Sequence, residues 1–227
     1  PRQRGMDYAR ELLDLLSREN INNEFVFELF APARPEFVSE IGRAVSQWTL
    51  ELSPESHDPA VRHAHQTTVR YSNHDMEESI RAALDAGCRR VDVFFMIGLR
   101  RQSASSVMDT VEYAGGLLER FGTSVSCYIS PLGPFLDPGS AAFEQPRKMG
   151  YRVRARSLEE HRRLLENDCW RDMLNYETEW LDRDEIVDVT YRAGERLNEL
   201  KVRHGQVAPE VGRAVQERID LARELEG

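Results

Sequence analysis

Within Glu51-Leu52-Ser53-Pro54-Glu55-Ser56-His57-Asp58, eight consecutive residues carry three carboxylates, two hydroxyls and an imidazole. Strand alternation places Glu51 and Ser53 on one side, where a carboxylate and a hydroxyl can hold the diol of a ribose. The structural alternative is a solvated loop in which Ser and Asp make turn and cap bonds. His57, His63, His65 and His74 lie close enough in sequence to raise a metal site, since imidazoles and carboxylates are the ligands of zinc and manganese. Their spacing fits no established ligand pattern, so no metal ligand is assigned. A metal-dependent barrel hydrolase stands as the third reading. Gly98-Leu99-Arg100-Arg101-Gln102-Ser103 lacks the second glycine and the Lys-Ser/Thr pair of a phosphate loop. Gly98 does allow a ligand to approach the backbone; the alternative is a tight turn capped by Ser103. Arg70 can clamp a carboxylate in two-pronged fashion or be merely solvated.

These residues need elements to position them. Val91 to Ile97 is a nearly continuous apolar run rich in Val, Phe and Ile, the signature of a strand buried on both faces of a parallel sheet. Upstream, Ser72 and Asp75 open a helix that Gly87 closes; downstream, Ser103 opens one that Gly122 closes. Further strands are expected at Phe25–Phe30, Trp48–Leu52 and Val125–Ile129. Helices are expected over Met6–Arg18 and Glu36–Val45, with Phe37, Val38, Ile41 and Val45 inward. Residues 53 to 71 read as one long polar loop. This alternation at βα spacing implies four parallel strands with right-handed crossovers up to about residue 150. From residue 151 onward the pattern is helical, with starts at Ser157/Glu160, Asp182/Glu185 and Pro209. Two regions are therefore expected, residues 1–150 and 151–227. In a parallel sheet, ligands bind beyond the carboxyl ends of the strands, which selects Ala31–Pro35, Glu51–Asp58, Gly98–Ser103 and Tyr128–Asp137.

The composition bounds the function. A chain of 227 residues with 41% hydrophobic and 30% charged residues is long enough to bury a real core. A net charge of -9 argues against a nucleic-acid backbone as partner. No run approaches the roughly 18 apolar residues of a membrane span, and no signal-like segment opens the chain, so a cytoplasmic protein is expected. Cys88, Cys127 and Cys169 are too widely spaced for a CxxC site or a disulfide framework. The start at Pro1 favours a piece of a longer protein.

The order of segments resembles the radical S-adenosylmethionine (SAM) enzymes, in particular their cobalamin-associated group. The resemblance rests on Leu50 through Arg62, Tyr71-Ser72-Asn73, Ala83 through Gly87, and Phe94-Phe95-Met96-Ile97-Gly98-Leu99, and it spans about residues 20 to 150. In such enzymes the last segment continues as proline, glycine and a Gln- or Glu-Thr/Ser pair. Here Arg100 and Arg101 replace the first two, while Gln102 and Ser103 fit. The resemblance implies a partial (β/α)6 barrel of parallel strands followed by a C-terminal helical extension. It places Glu51, Ser53, Glu55 and Ser56 by the ribose and methionine of SAM, and Arg70 by the methionine carboxylate. Ile97, Gly98 and Leu99 would back the adenine, Tyr128 and Ser130 belong to the segment that reads its edge, and Phe135 to Ser140 would line the substrate side.

The family holds its [4Fe-4S] cluster through CxxxCxxC, because closely spaced thiolates are what bind a cluster. The three cysteines here cannot supply it, and no cobalamin-binding domain is present in the sequence. SAM is then the cofactor this chain helps to hold, with the iron-sulfur cluster and cobalamin expected only in a full-length parent. That parent is expected to be a methyltransferase or a related enzyme modifying a small molecule. The chain is either a fragment needing its missing N-terminal half, or another chain, to complete the barrel, or a degenerate relative. Alone it is expected to be catalytically silent, and no catalytic residue is assigned. A non-catalytic binding or scaffold module derived from the same fold is the second reading.

Overall fold

The computed structural model describes residues 4–19, 21–65 and 70–226, with only the backbone at His65. The opening Pro1 to Gln3, Asn20, the His65 side chain and the part of the polar loop at 66–69 lie outside the described residues. In chain order the elements are α1 (Gly5–Glu19), β1 (Phe25–Leu29), α2 (Pro35–Ala44), β2 (Trp48–Glu55), α3 (Pro59–His65), α4 (Asn73–Asp85), β3 (Val91–Ile97), α5 (Ala104–Phe121) and β4 (Val125–Pro131). Then follow α6 (Ala141–Glu144), α7 (Pro146–Met149), β5 (Tyr151–Val153), α8 (Leu158–Leu164), α9 (Trp170–Met173), β6 (Tyr176–Thr178), α10 (Arg183–Arg203) and α11 (Pro209–Glu224).

Strands β1 to β4 form one parallel sheet in sequential order β1-β2-β3-β4. Sequential order means that successive crossovers all step the same way. Right-handed connections then leave the helices on one face, as in a barrel wall, instead of on both faces as in a doubly wound sheet. Alternation sorts the strands accordingly. Leu50, Leu52, Val91, Val93, Phe95, Ile97, Val125 and Cys127 point to the helices and join one core with Val38, Ile41, Ile80 and Val111. On the opposite face Glu51, Ser53, Phe94, Met96, Tyr128 and Ser130 keep partial or full exposure. Helix α10 belongs to the same layer, since Val189, Ala193, Leu197 and Leu200 complete that core and Leu200 rests on Gly115.

The local signals account for the helix ends. Ser72 and Asp75 form a reciprocal capping box at α4, as do Ser157 with Glu160 at α8 and Asp182 with Glu185 at α10. Each satisfies two amides that the helix start would otherwise orphan.

Three departures from the sequence-based expectation matter for the site. Strand β2 runs on to Glu55, so Ser53 to Glu55 are sheet and not loop; a register shift between Leu52 and Glu55 bulges the strand there. The expected long loop holds the short helix α3, whose Asp58 carboxylate caps the amide of Ala60 at 2.8 Å. The region after residue 150 is not purely helical, because β5 and β6 pair antiparallel as a separate two-stranded sheet. Around them Leu136, Phe143, Tyr151, Leu174, Tyr176, Leu181, Ile186 and Val187 form a second core. Runs of three residues flanked by Pro, Gly and charged positions carry too little periodicity to reveal such strands.

Candidate functional site

The site begins on the open face of the sheet. Leu50 and Leu52 are fully buried toward the helices, which turns Glu51 and Ser53 to the open side. Glu28, Glu51 and Asp92 are cross-strand neighbours on β1, β2 and β3, so this face carries a row of carboxylates. Asp92 is only 5% exposed and its Oδ2 is bracketed by the Arg90 guanidinium at 2.8 and 3.1 Å. One register step higher, Phe94 on β3 stacks on Tyr128 on β4, ring centroids 5.0 Å apart and planes 15° from parallel. Lys201 of α10 reaches around the β4 edge, its Nζ 4.4 Å from the Tyr128 ring centroid. Burial holds the Lys201 amine below the usual lysine range. Ser130 follows on the same face, exposed. A carboxylate and a hydroxyl beside an aromatic pair can hold a sugar diol and a flat ring on one surface.

Beyond β2 the chain is pinned by Arg62, which is 1% exposed. Its guanidinium donates to the carbonyls of Ser56 (2.9 Å), His57 (2.8 Å) and Tyr71 (3.0 Å) and to Asn73 Oδ1 (2.7 Å), and it lies over the Tyr71 ring. This one side chain ties both ends of the β2-to-α4 connection. Glu55 sits at its start with a left-handed φ of 69°, a conformation that costs a non-glycine residue of order 1 kcal/mol and recurs at functional sites. Ser56 is fully buried and its Oγ accepts from the Asp58 amide at 3.1 Å, so its hydroxyl serves the turn. His57 leaves the open face altogether. Thr110 donates its own proton to the Ser106 carbonyl (2.8 Å), so its Oγ1 accepts from His57 Nδ1–H (2.8 Å), while the imidazole stacks on Tyr113. Burial lowers the His57 pKa, which keeps this docked ring neutral. His74 is exposed in the first turn of α4, and no three His, Cys, Asp or Glu side chains converge on a metal position among the described residues. Arg70 is exposed just before the α4 cap.

The turn after β3 is built by Gln102, which is fully buried. Its Oε1 accepts from the amides of Gly98 (2.9 Å) and Leu99 (3.1 Å), and its Nε2 donates to the Met96 carbonyl (2.9 Å). Gly98 takes φ +86°, and Arg101 holds φ 63° where a glycine would be at ease. Ile97 and Leu99 are 0% exposed, and Gly98 is buried with its carbonyl accepting from the Tyr151 hydroxyl at 3.2 Å. Of the residues that the resemblance singles out, the structure thus brings Glu51, Ser53, Tyr128 and Ser130 onto one open surface. It covers Ile97, Gly98 and Leu99, turns Ser56 inward, and sets Arg70 outside on a loop. Leu136, from the segment expected to line a substrate, is buried in the second core, and Phe135 packs edge-on against His161.

Sequence reasoning missed Arg62, Gln102, Tyr151 and Tyr176 as organising residues. Gln102 carried a usable signal, a polar residue four places after a strand-ending glycine. An arginine buried through backbone carbonyls carries none.

The cysteines do not suit a cluster. Cys88 and Cys127 are buried on the helix side of the sheet, and burial pushes both thiols up, Cys127 to about 12. Cys169 lies near α9 with its Sγ 3.3 Å from Asp172. These three cysteines do not fit a [4Fe-4S] cluster.

No family model and no curated protein matches the sequence. Among solved structures, the radical SAM methyltransferase TsrM from Kitasatospora setae, with cobalamin and a [4Fe-4S] cluster bound, aligns with 96% of this chain at a TM-score of 0.52 and 11% identity. The alignment covers 50% of that protein, so this chain spans half the length of the structure it matches. Coproporphyrinogen III oxidase HemN from Escherichia coli, described as a radical SAM enzyme, aligns over 83% of this chain and 42% of its own, at 12% identity and a TM-score of 0.45.

Proposed function

From the radical SAM enzyme fold, which this chain carries, we propose that it is one half of a radical SAM barrel and supplies part of the surface that holds the SAM nucleoside. The observation that carries the reading is the open face of the sheet, where Glu51 and Ser53 stand beside the stacked Phe94 and Tyr128. Glu51 accepts the hydrogen bonds of the ribose diol, Ser53 adds a donor, and Tyr128 with Ser130 bounds the base. Cobalamin-dependent methyl transfer to a small molecule is the activity proposed for the assembled enzyme. Its cluster and cobalamin belong to the complementary half, because the cysteines here lie apart.

That half docks along β1. Strand β1 is one edge of the sheet, with Val26 59% and Phe30 47% exposed, and α1, packed on α2, leaves Tyr8, Leu12 and Leu15 outward at i, i+4 and i+7. A parallel strand followed by an amphipathic helix covers both at once.

Calorimetric titration with S-adenosylhomocysteine tests the pocket. Weak binding that E51A with S53A abolishes is expected, whereas binding unchanged in the double variant overturns the assignment.

A further inference from the structure

Three arginines of this chain bury an Nε that has no acceptor, Arg62, Arg100 and Arg183. Two of them use their other donors on the fold. Arg62 holds three carbonyls and Asn73, and Arg183 holds Asp172 and the Arg171 carbonyl. Arg100 differs, because among the described residues its guanidinium makes no hydrogen bond and no ion pair. Its side chain is partly buried, yet the two terminal nitrogens are not sealed and remain open to a ligand. A guanidinium presents five N–H donors in a fixed fork, and drying part of it without an acceptor is unfavourable unless something else supplies one.

The position is where a parallel sheet takes its ligands, beyond the carboxyl ends of the strands. Arg100 follows the end of β3, and Glu55 closes β2. Burial pushes the Tyr151 hydroxyl up, Glu55 adds to this and Arg100 opposes it, so both charges lie about the same ring. Arg101, directly behind, keeps its left-handed φ of 63°, an outlier of the kind that persists at ligand sites. Arg70, which the resemblance sets against a carboxylate, stands exposed on its loop and leaves that role to another residue.

We propose that Arg100 is an anion anchor at the carboxyl end of the sheet, taking a carboxylate in two-pronged fashion through donors that the fold leaves unused. The Glu55 carboxylate close by disfavours a dianion such as phosphate, so a monoanionic carboxylate is the class that fits. It comes from the amino-acid tail of the nucleoside ligand or from a separate small acid. The first source rests on the nucleoside reading of the site; the second does not.

Calorimetry and saturation-transfer NMR on the full chain test the anchor with R100M, which keeps the length and removes the charge, and R100K, which keeps the charge and removes the fork. S-adenosylhomocysteine and 5′-methylthioadenosine share a thioether nucleoside and differ in the amino-acid tail. The unmodified chain is expected to prefer S-adenosylhomocysteine about tenfold, R100M to bind both alike and R100K to fall between. If that preference is absent but L-methionine contacts the unmodified chain and not R100M, the anchor holds a separate acid. If neither nucleoside binds while R100M loses contact with L-methionine, the nucleoside reading fails and the anchor stands. The anchor is overturned if R100M changes neither the preference nor the methionine contact, including the case where none of the three ligands binds. Folding gives a further readout. Without ligand, R100M is expected to keep or raise the urea midpoint, since it removes an unpaired guanidinium, whereas a lowered midpoint marks a structural arginine and overturns the proposal.

Discussion

Replacing Gln102 with leucine keeps the volume of a fully buried side chain and deletes all three of its side-chain hydrogen bonds. The amides of Gly98 and Leu99 and the carbonyl of Met96 are then left at the end of β3 beneath Tyr151 and Tyr176. A net hydrogen bond is worth about 1 kcal/mol, and a buried polar group left without a partner costs about 1–3 kcal/mol. Two amides and one carbonyl bound the loss at roughly 3–9 kcal/mol, and relaxation of the turn toward water brings the expected value near 3–5 kcal/mol. Urea denaturation reads this as a fall in the midpoint with an unchanged slope. Q102E separates the parts, since it keeps an acceptor for both amides but sets an oxygen against the Met96 carbonyl; it should lie between leucine and the unmodified chain. A loss below about 1 kcal/mol in Q102L would refute the reasoning, because it would mean that these backbone groups are not sealed from water.

Glu160 should give α8 an acid-sensitive start. The amides of Arg156 and Ser157 hold its carboxyl down at about 2, below its ordinary 4.5. A group depressed on folding stabilises fully above its unfolded value and loses that contribution as pH falls through 4.5 toward 2, so the difference in Tm between the unmodified chain and E160Q should shrink from pH 7 to pH 3. Thiol labelling of the native chain should modify Cys169 first, with Cys88 and Cys127 reacting only after unfolding, because both are buried and hold their protons. Rapid labelling of all three in native buffer would contradict the packing of β3 and β4 on α5.

The four-stranded sheet was legible in the sequence because each strand lies between well-marked helices. Ser72, Ser103, Gly87 and Gly122 punctuate the chain with local chemistry that tertiary context does not override. The extension of β2 to Glu55 was hidden, since Ser53-Pro54-Glu55 has turn composition and only pairing with β3 across a bulge keeps it in the sheet. On the open face, alternation alone was enough to pair Glu51 with Ser53. It could not reveal that Gly98 would be covered, because Tyr151 and Tyr176 come from strands 53 and 78 positions further on. Arg62 escaped for a related reason: its partners are mostly carbonyls, which every residue possesses.

The central claim is that this chain is the nucleoside-holding half of a radical SAM barrel. Its most direct test is 5′-deoxyadenosine formation by the polypeptide that carries this segment together with the coding sequence upstream of Pro1, purified and reconstituted anaerobically with iron and sulfide. Expected are 5′-deoxyadenosine from SAM in that protein, a fall of at least about tenfold in E51A from the loss of a charged ribose contact, and none from residues 1–227 alone. A cluster-loaded polypeptide that leaves SAM intact, or one whose turnover E51A does not change, would contradict it.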